Sequence, residues 1–180
     1  MRAFCFLQYD AQLDISSLQS GMKRRCRVEF CISPMLIRLI YTSRASGDSP
    51  LQEIQAASIV WNRAHDLTGG LVCVEGIYLQ YLEGQEEEID RVFAMISRDR
   101  RHGGLKILER RVVQRRMFAD WSMAVLDWND KTKAIFQSFS PGQRIDLYGT
   151  DPTTAAPLFR AWVATPHWKA GVVTALSAAC

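Results

Sequence analysis

No two cysteines in this chain stand at the spacing of a zinc knuckle or a dithiol motif. The five of them (Cys5, Cys26, Cys31, Cys73 and Cys180) are odd in number and scattered, which disfavours a disulfide framework and points to a reducing cytoplasm. Histidine is equally sparse: His65, His102 and His167 lie far apart, so no metal site is expected. Long apolar runs are absent too. None approaches the roughly 20 residues that cross a bilayer, and Gln8, Asp10 and Gln12 interrupt any secretory core at the N-terminus. No GxGxxG follows a strand; Gly69-Gly70 and Gly103-Gly104 are isolated pairs, which removes a nicotinamide-nucleotide site. Excess charge is missing as well. A formal net charge of +3 is too small to argue for nucleic acid, and Lys23-Arg24-Arg25, Arg110-Arg111 and Arg115-Arg116 read as solvated loops.

What remains is an ordinary globular composition, 48% hydrophobic and 23% charged, suited to one domain with appendages. The most informative stretch runs from Thr68 to Gly84. Two apolar runs flank Glu75-Gly76 and predict a tight β-hairpin. Both runs are apolar on both faces, so the hairpin belongs in mid-sheet with a layer packed on each side. Gln80 is the exception. A primary amide inside a buried strand must be hydrogen-bonded there.

Residues 1–34 show no sustained periodicity and end at Ser33-Pro34; they read as an N-terminal extension of low order, with Met35 a candidate native start. Leu36–Thr42 predicts the first strand. After a turn-rich connection, Ser49-Pro50 supplies an N-cap and an N1 proline for a helix reaching about His65. The hairpin follows. A second helix begins after Gly84, with Glu86, Glu87 and Glu88 complementing its positive end, and stops before Gly103-Gly104. Leu105–Val113 and Trp121–Trp128 predict the fourth and fifth strands. The order βαββαββ with right-handed crossovers predicts an α+β fold, a ferredoxin-like sandwich with a fifth strand and both helices on one sheet face.

The other face needs a cover, and the tail offers one. Its parts are Asp130–Phe139, a helix over Pro152–Ala164 capped by Asp151, and a short helix after Pro166. Phe136, Phe159, Trp162 and Trp168 are the expected apolar anchors. The expected division is thus an N-terminal extension (1–34), a sandwich domain (35–128) and a C-terminal helical extension (129–180) packing on the sheet.

Alternation and helical spacing gather a small set of side chains on the face under the first two helices. Tyr41 shares its strand face with Ile37 and Leu39, and Gln80 shares one with Tyr78 and Leu82. Ile54, Ser58 and Asn62 form one stripe of the first helix, while Ile96 and Asp99 stand one turn apart at the end of the second. These define a cleft with aliphatic walls and polar groups at one end, suited to a flat heteroaromatic ligand with amide-like edges. Each residue also has an ordinary structural alternative: an interior tyrosine bonded to backbone, a satisfied core amide, a polar helix end.

The segments Leu39-Ile40-Tyr41-Thr42-Ser43-Arg44, Asn62 before Leu67-Thr68-Gly69-Gly70-Leu71, Gln80-Tyr81-Leu82-Glu83-Gly84, Asp99-Arg100-Arg101-His102 and Trp121-Ser122-Met123 resemble, in order and spacing, the BLUF family of blue-light sensors that use FAD. The resemblance covers about Leu36 to Trp128 and neither extension. It implies that Tyr41 and Gln80 are the photoactive pair and that Asn62 bonds the pyrimidine edge of the flavin. Ile54 and Ile96 would sandwich the ring, with Ser58 on the same stripe. Asp99, Arg101 and His102 would lie near the ring edge and ribityl side, and Trp121 and Met123 would be the fifth-strand residues that respond to light. Those two are expected on one face of that strand. At Met95 the chain departs from the cationic residue of some members, which leaves FMN and riboflavin as alternatives to FAD. The resemblance implies a sensor without catalysis, acting on a downstream signalling protein or through self-association. Two rival readings are a flavoenzyme, for which the tail is too short to add a catalytic domain, and a flavin-free interaction module on the same fold.

Overall fold

The computed structural model describes residues 35–46, 51–142 and 144–171. The extension over residues 1–34 and the cap expected at Ser49-Pro50 lie outside them. Strand β1 (Leu36–Ala45), helix α1 (Leu51–Ala64), strands β2 (Thr68–Val74) and β3 (Ile77–Gln85), helix α2 (Glu86–Ile96) and strand β4 (His102–Val112) follow the expected order. They continue into β5 (Ala124–Leu126), α3 (Asp130–Phe139), α4 (Pro152–Val163) and β6 (Trp168–Ala170). The sheet order is β4-β1-β3-β2-β5-β6, antiparallel except where β2 meets β5. The hairpin strands are therefore central, as their two apolar faces require. Their turn is Glu75-Gly76, with φ of 49° and 73°, the pair of left-handed residues that a two-residue hairpin of matching twist demands.

Two apolar layers sandwich this sheet. On one face Ile54 and Ile59 of α1, with Ile89 and Val92 of α2, pack over Ile37, Leu39, Tyr78 and Leu82. On the other, Phe136 of α3 and Ala155, Phe159 and Trp162 of α4 pack over Ile40, Leu79 and Tyr81. The tail is welded internally as well as to the sheet. Asn129 and Thr132 form a reciprocal capping box at the start of α3, and the Trp162 indole donates to the Thr132 carbonyl at 3.0 Å. Among the described residues no helix is long and apolar enough to cross a membrane.

The structure corrects several boundaries. The short helix expected after Pro166 is strand β6, antiparallel to β5, with Trp168 opposite Leu126. The outer edge of β5 needs a hydrogen-bonding partner, and pairing there lets Trp168 bury its ring and donate its indole N–H to the Trp162 carbonyl at 2.9 Å. The glycines expected to follow α2 lie inside β4, where Gly104 has φ of 61° and the β1–β4 register shifts between Thr42 and Arg44. They form an irregularity in a strand, not a break before one. The fifth strand keeps only three of the eight residues expected, because the chain from Val113 to Met123 is an irregular loop.

That loop is held by Glu83, whose side chain is fully buried. Its carboxylate accepts from the backbone N–H groups of Met117 (2.9 Å) and Phe118 (2.6 Å), from Thr68 Oγ1 (3.1 Å) and from the Tyr81 hydroxyl (3.2 Å). Four donors are what a buried carboxylate needs to offset its lost hydration. The loop in turn presses the Phe118 ring, with the Trp168 ring beside it, onto β2 at Gly70. A Cβ at Gly70 would stand 2.7 Å from atoms of both rings. Gly70→Ala should therefore destabilise the protein by about 1–3 kcal/mol through overpacking. Denaturant unfolding of Gly70→Ala, Trp168→Ala and the double variant should show a double-mutant cost clearly below the sum of the singles.

Candidate functional site

The site begins with one register. β1 and β3 pair with Tyr41 directly opposite Gln80, so both side chains rise from the face covered by α1 and α2. The Tyr41 hydroxyl donates to Gln80 Oε1, and Gln80 Nε2 lies 3.9 Å from the sulfur of Met123. Tyr41 is 2% and Gln80 6% exposed. The Phe93 ring stands edge-on to Tyr41 at 5.4 Å between centroids. Burial first, and then the negative charge of Asp99, push the Tyr41 phenol well above its ordinary range, so it remains a neutral hydroxyl donor. The buried amide expected from the sequence is satisfied, and its partner is the tyrosine.

A cleft of about 300 Å³ opens over this pair between α1 and α2. Ser58 and Asn62 line it from α1, Gln80 and Leu82 from the sheet, and Val92, Met95 and Ile96 from α2. Asn62 sits at the last turn of α1, where its Nδ2 donates to the Ser122 carbonyl at 2.7 Å. Asp99 and Arg101 close one rim as an ion pair, with Arg101 Nε 2.9 Å from Asp99 Oδ2. The paired guanidinium holds the Asp99 carboxyl below its ordinary value, and the carboxylate in return raises Arg101. His102 lies beside this rim at the start of β4, its ring edge-on to Tyr78.

Ser58, Asn62, Gln80, Ile96, Asp99 and Arg101 line one cleft. Tyr41 stands behind Gln80 and not on the lining; Ile54 packs in the core under α1, and His102 is a neighbour of the rim. Ala57 and Trp61 supply the α1 wall that Ile54 was expected to form. Trp61 stands one helical turn from Ser58, and that spacing is the sequence signal for its place on this wall. Trp121 departs further. Met123 is buried on the cleft face, but the Trp121 ring lies among the tail-side aromatics, 6.0 Å from Phe118 and 6.1 Å from Trp168. Alternation placed Trp121 and Met123 together, yet β5 begins only at Ala124 and the rule fails in the irregular chain before it.

Fold and cleft together define a ligand-binding domain of the ferredoxin-like class. The family described as sensors of blue-light using FAD matches residues 36–124, and this stretch of the chain belongs to that family, BLUF. The photoactivated adenylate cyclase subunit beta of Euglena gracilis is 31% identical over 93 residues, 49% of this chain and 11% of that protein. The blue light- and temperature-regulated antirepressor BluF of Escherichia coli (strain K12) is 31% identical over 110 residues, 57% of this chain and 27% of that one. The dark-state structure of BlrB, a BLUF protein, is 27% identical with a TM-score of 0.58, covering 72% of this chain and 96% of its own. The chain therefore spans a small part of these two curated relatives.

The family's cofactor is FAD, and the residues present fit a flavin. The walls are largely aliphatic and aromatic, the polar groups sit at the ends, and two buried ring nitrogens in and beside the cleft, Trp61 Nε1 and His102 Nδ1, have no hydrogen-bond partner among the described residues. Such groups are expensive to leave unpaired, and a ligand rich in carbonyl, imine and hydroxyl groups would satisfy them.

His102 also makes the site acid-sensitive. Burial lowers its pKa below 6.5, partly countered by Asp99. The unfolded chain then binds the proton more readily than the folded one, so stability is present above about pH 6.5 and declines as pH falls below it. Thermal unfolding from about pH 7.5 to about pH 5.5 should show a larger loss of stability in the wild type than in His102→Gln. Equal losses would remove His102 from the acid response.

Proposed function

We propose that this chain is a blue-light receptor whose switch is the Tyr41–Gln80 hydrogen bond, and that it signals through its own tail or a partner protein without catalysing a reaction itself. The observation that carries this reading is the buried, directly cross-strand contact from Tyr41 to Gln80, the residue that lines the cleft. Bound flavin supplies light absorption and a transient electron acceptor. Tyr41, neutral and desolvated, can give up an electron and then its hydroxyl proton along the bond to Gln80. The glutamine amide carries an acceptor and a donor on one planar group, and rotation or tautomerisation exchanges the two patterns. When electron and proton return to Tyr41, composition is unchanged and only the hydrogen bonds differ.

Met123 is the next residue to feel that change, since it faces Gln80 Nε2. Asn62 holds the adjoining Ser122 carbonyl, so the entry to β5 is tied to the cleft from two sides. Through the same strand, β3, Gln80 is followed by Tyr81, whose ring packs on the tail face against Phe118 at 5.1 Å and Phe159 at 5.2 Å. This adjacency supports the C-terminal extension, residues 129–180, as receiver. One or two rearranged hydrogen bonds are worth roughly 1–3 kcal/mol, which limits the change in a partner's affinity to about 5- to 150-fold. The site of action we assign is the cytoplasm, and the partner is a signalling protein or a second copy of the chain.

Tyr41→Phe should retain flavin, because the ring still packs, and lose the light-induced red shift of the visible band. Gln80→Leu should do the same, having no donor to exchange for an acceptor. Absorption spectra of the illuminated, flavin-loaded variants test both, and a normal reversible shift in either removes that residue from the switch. Hydrogen exchange on the full chain should show altered protection over α3 and α4 in light; identical protection would send the signal out by another surface.

A further inference from the structure

The loop that Glu83 fastens builds a second cleft, on the sheet face opposite the first. It measures about 500 Å³ and is lined by Arg38, Tyr81, the loop residues Val113 to Met117, and Arg160. Its four arginines come from β1, from the β4–β5 loop (Arg115 and Arg116) and from α4, and among the described residues no carboxylate lines it. The sequence pattern presents Arg115-Arg116 as solvated. In the fold they close over a cavity together with two arginines far away in the chain.

The four guanidinium groups fall into two kinds. Arg38 and Arg116 are braced from behind. Arg38 Nε donates to Glu109 Oε1 at 2.9 Å, and Arg116 donates to the Asp66 carboxylate and to the carbonyls of Asp66 and Glu83. Arg115 and Arg160 have no carboxylate partner among the described residues, and both are exposed at the mouth. Glu109 and Asp66 already balance Arg38 and Arg116, so the charge without a counter-anion is that of Arg115 and Arg160, two like charges at one mouth. Guanidinium forks from three directions suit a tetrahedral group with several oxygens better than a planar carboxylate, which one fork already satisfies. The volume is that of a small-molecule site.

We infer that this cleft binds a small phosphorylated ligand, with Arg115 and Arg160 as the adaptable contacts and Arg38 and Arg116 as the fixed ones. The site lies where the sheet meets the tail, so its ligand would bridge β1, the Glu83-held loop and α4. It is independent of the flavin cleft and of the photochemistry assigned to it.

Calorimetric titration of the full chain as purified, in darkness and at low salt, tests the inference with inorganic pyrophosphate, AMP and succinate as probes. Saturable one-to-one binding of pyrophosphate or AMP is expected. The double variant Arg115→Ala/Arg160→Ala should weaken it by more than about tenfold. Arg63→Ala/Arg98→Ala removes the same charge from exposed positions elsewhere and should change it by less than about twofold. Unchanged thermal unfolding of both variants confirms that the fold is kept, and Arg115→Lys/Arg160→Lys, which retains charge but not the fork, should recover only part of the affinity. Absence of saturable binding, equal losses in the two alanine variants, or succinate bound as tightly as pyrophosphate would each overturn the proposal. No step uses light, so failure of the photochemical reading leaves this result intact.

Discussion

The register between β1 and β3 is the constraint on which the rest depends. Side chains alternate across a strand, so a slip of one residue would carry Gln80 to the tail face and bring Tyr81 into the cleft between α1 and α2. The apolar residues prevent that slip from both sides at once. Ile37, Leu39 and Leu82 are claimed by the layer under α1 and α2, and Ile40, Leu79 and Tyr81 by the layer under α3 and α4. A strand buried on one face can exchange faces at the cost of one layer; a strand buried on both has no alternative register of comparable energy. Placing Tyr41 opposite Gln80 is thus a consequence of core packing, with the hydrogen bond added on top of it.

The same double burial joins the two halves of the molecule. Adjacent residues of β3 serve opposite layers: Gln80 faces the cleft, Tyr81 faces Phe118 and Phe159, and Glu83 anchors the loop that precedes β5. The entry to β5 behaves likewise, with Met123 on the cleft side and Trp121 among the tail-side aromatics. A sheet only one residue thick cannot isolate its faces. A displacement of either strand that eases a contact on one side must be accommodated on the other, because close-packed interiors have few voids to absorb it.

Polar groups are placed with matching economy. The fully buried carboxylate of Glu83 has four donors, whereas the buried Trp61 and His102 nitrogens have none among the described residues. The first arrangement is self-contained and structural. The second is incomplete in the protein alone, and it lies in and beside the cleft to which we assign the flavin. Arg115 and Arg160 repeat that contrast on the opposite face, beside the fully braced Arg116.

The sequence by itself determined the order of elements, the central place of the hairpin and the need for a second covering layer. All of these follow from local rules: period two in strands, spacing of about 3.6 in helices, caps at helix starts, turn chemistry at Glu75-Gly76. The family motifs are dense over the same stretch, so the cleft was legible along with them. Only the tertiary structure decided the features that depend on partners far apart in the chain. Trp168 became a strand because β5 offered an edge, and Trp121 turned away from Met123 because the loop before β5 is irregular and Glu83 holds it from β3, two strands away in the sheet. Ala57 and Trp61 form the wall expected of Ile54, which is buried in the core instead, a choice made by how α1 seats on the sheet and contained in no helical wheel. Arg38, Arg115 and Arg160 have no local pattern at all. Their convergence exists only once β1, the loop and α4 have packed, since charge proximity is a property of space and not of spacing.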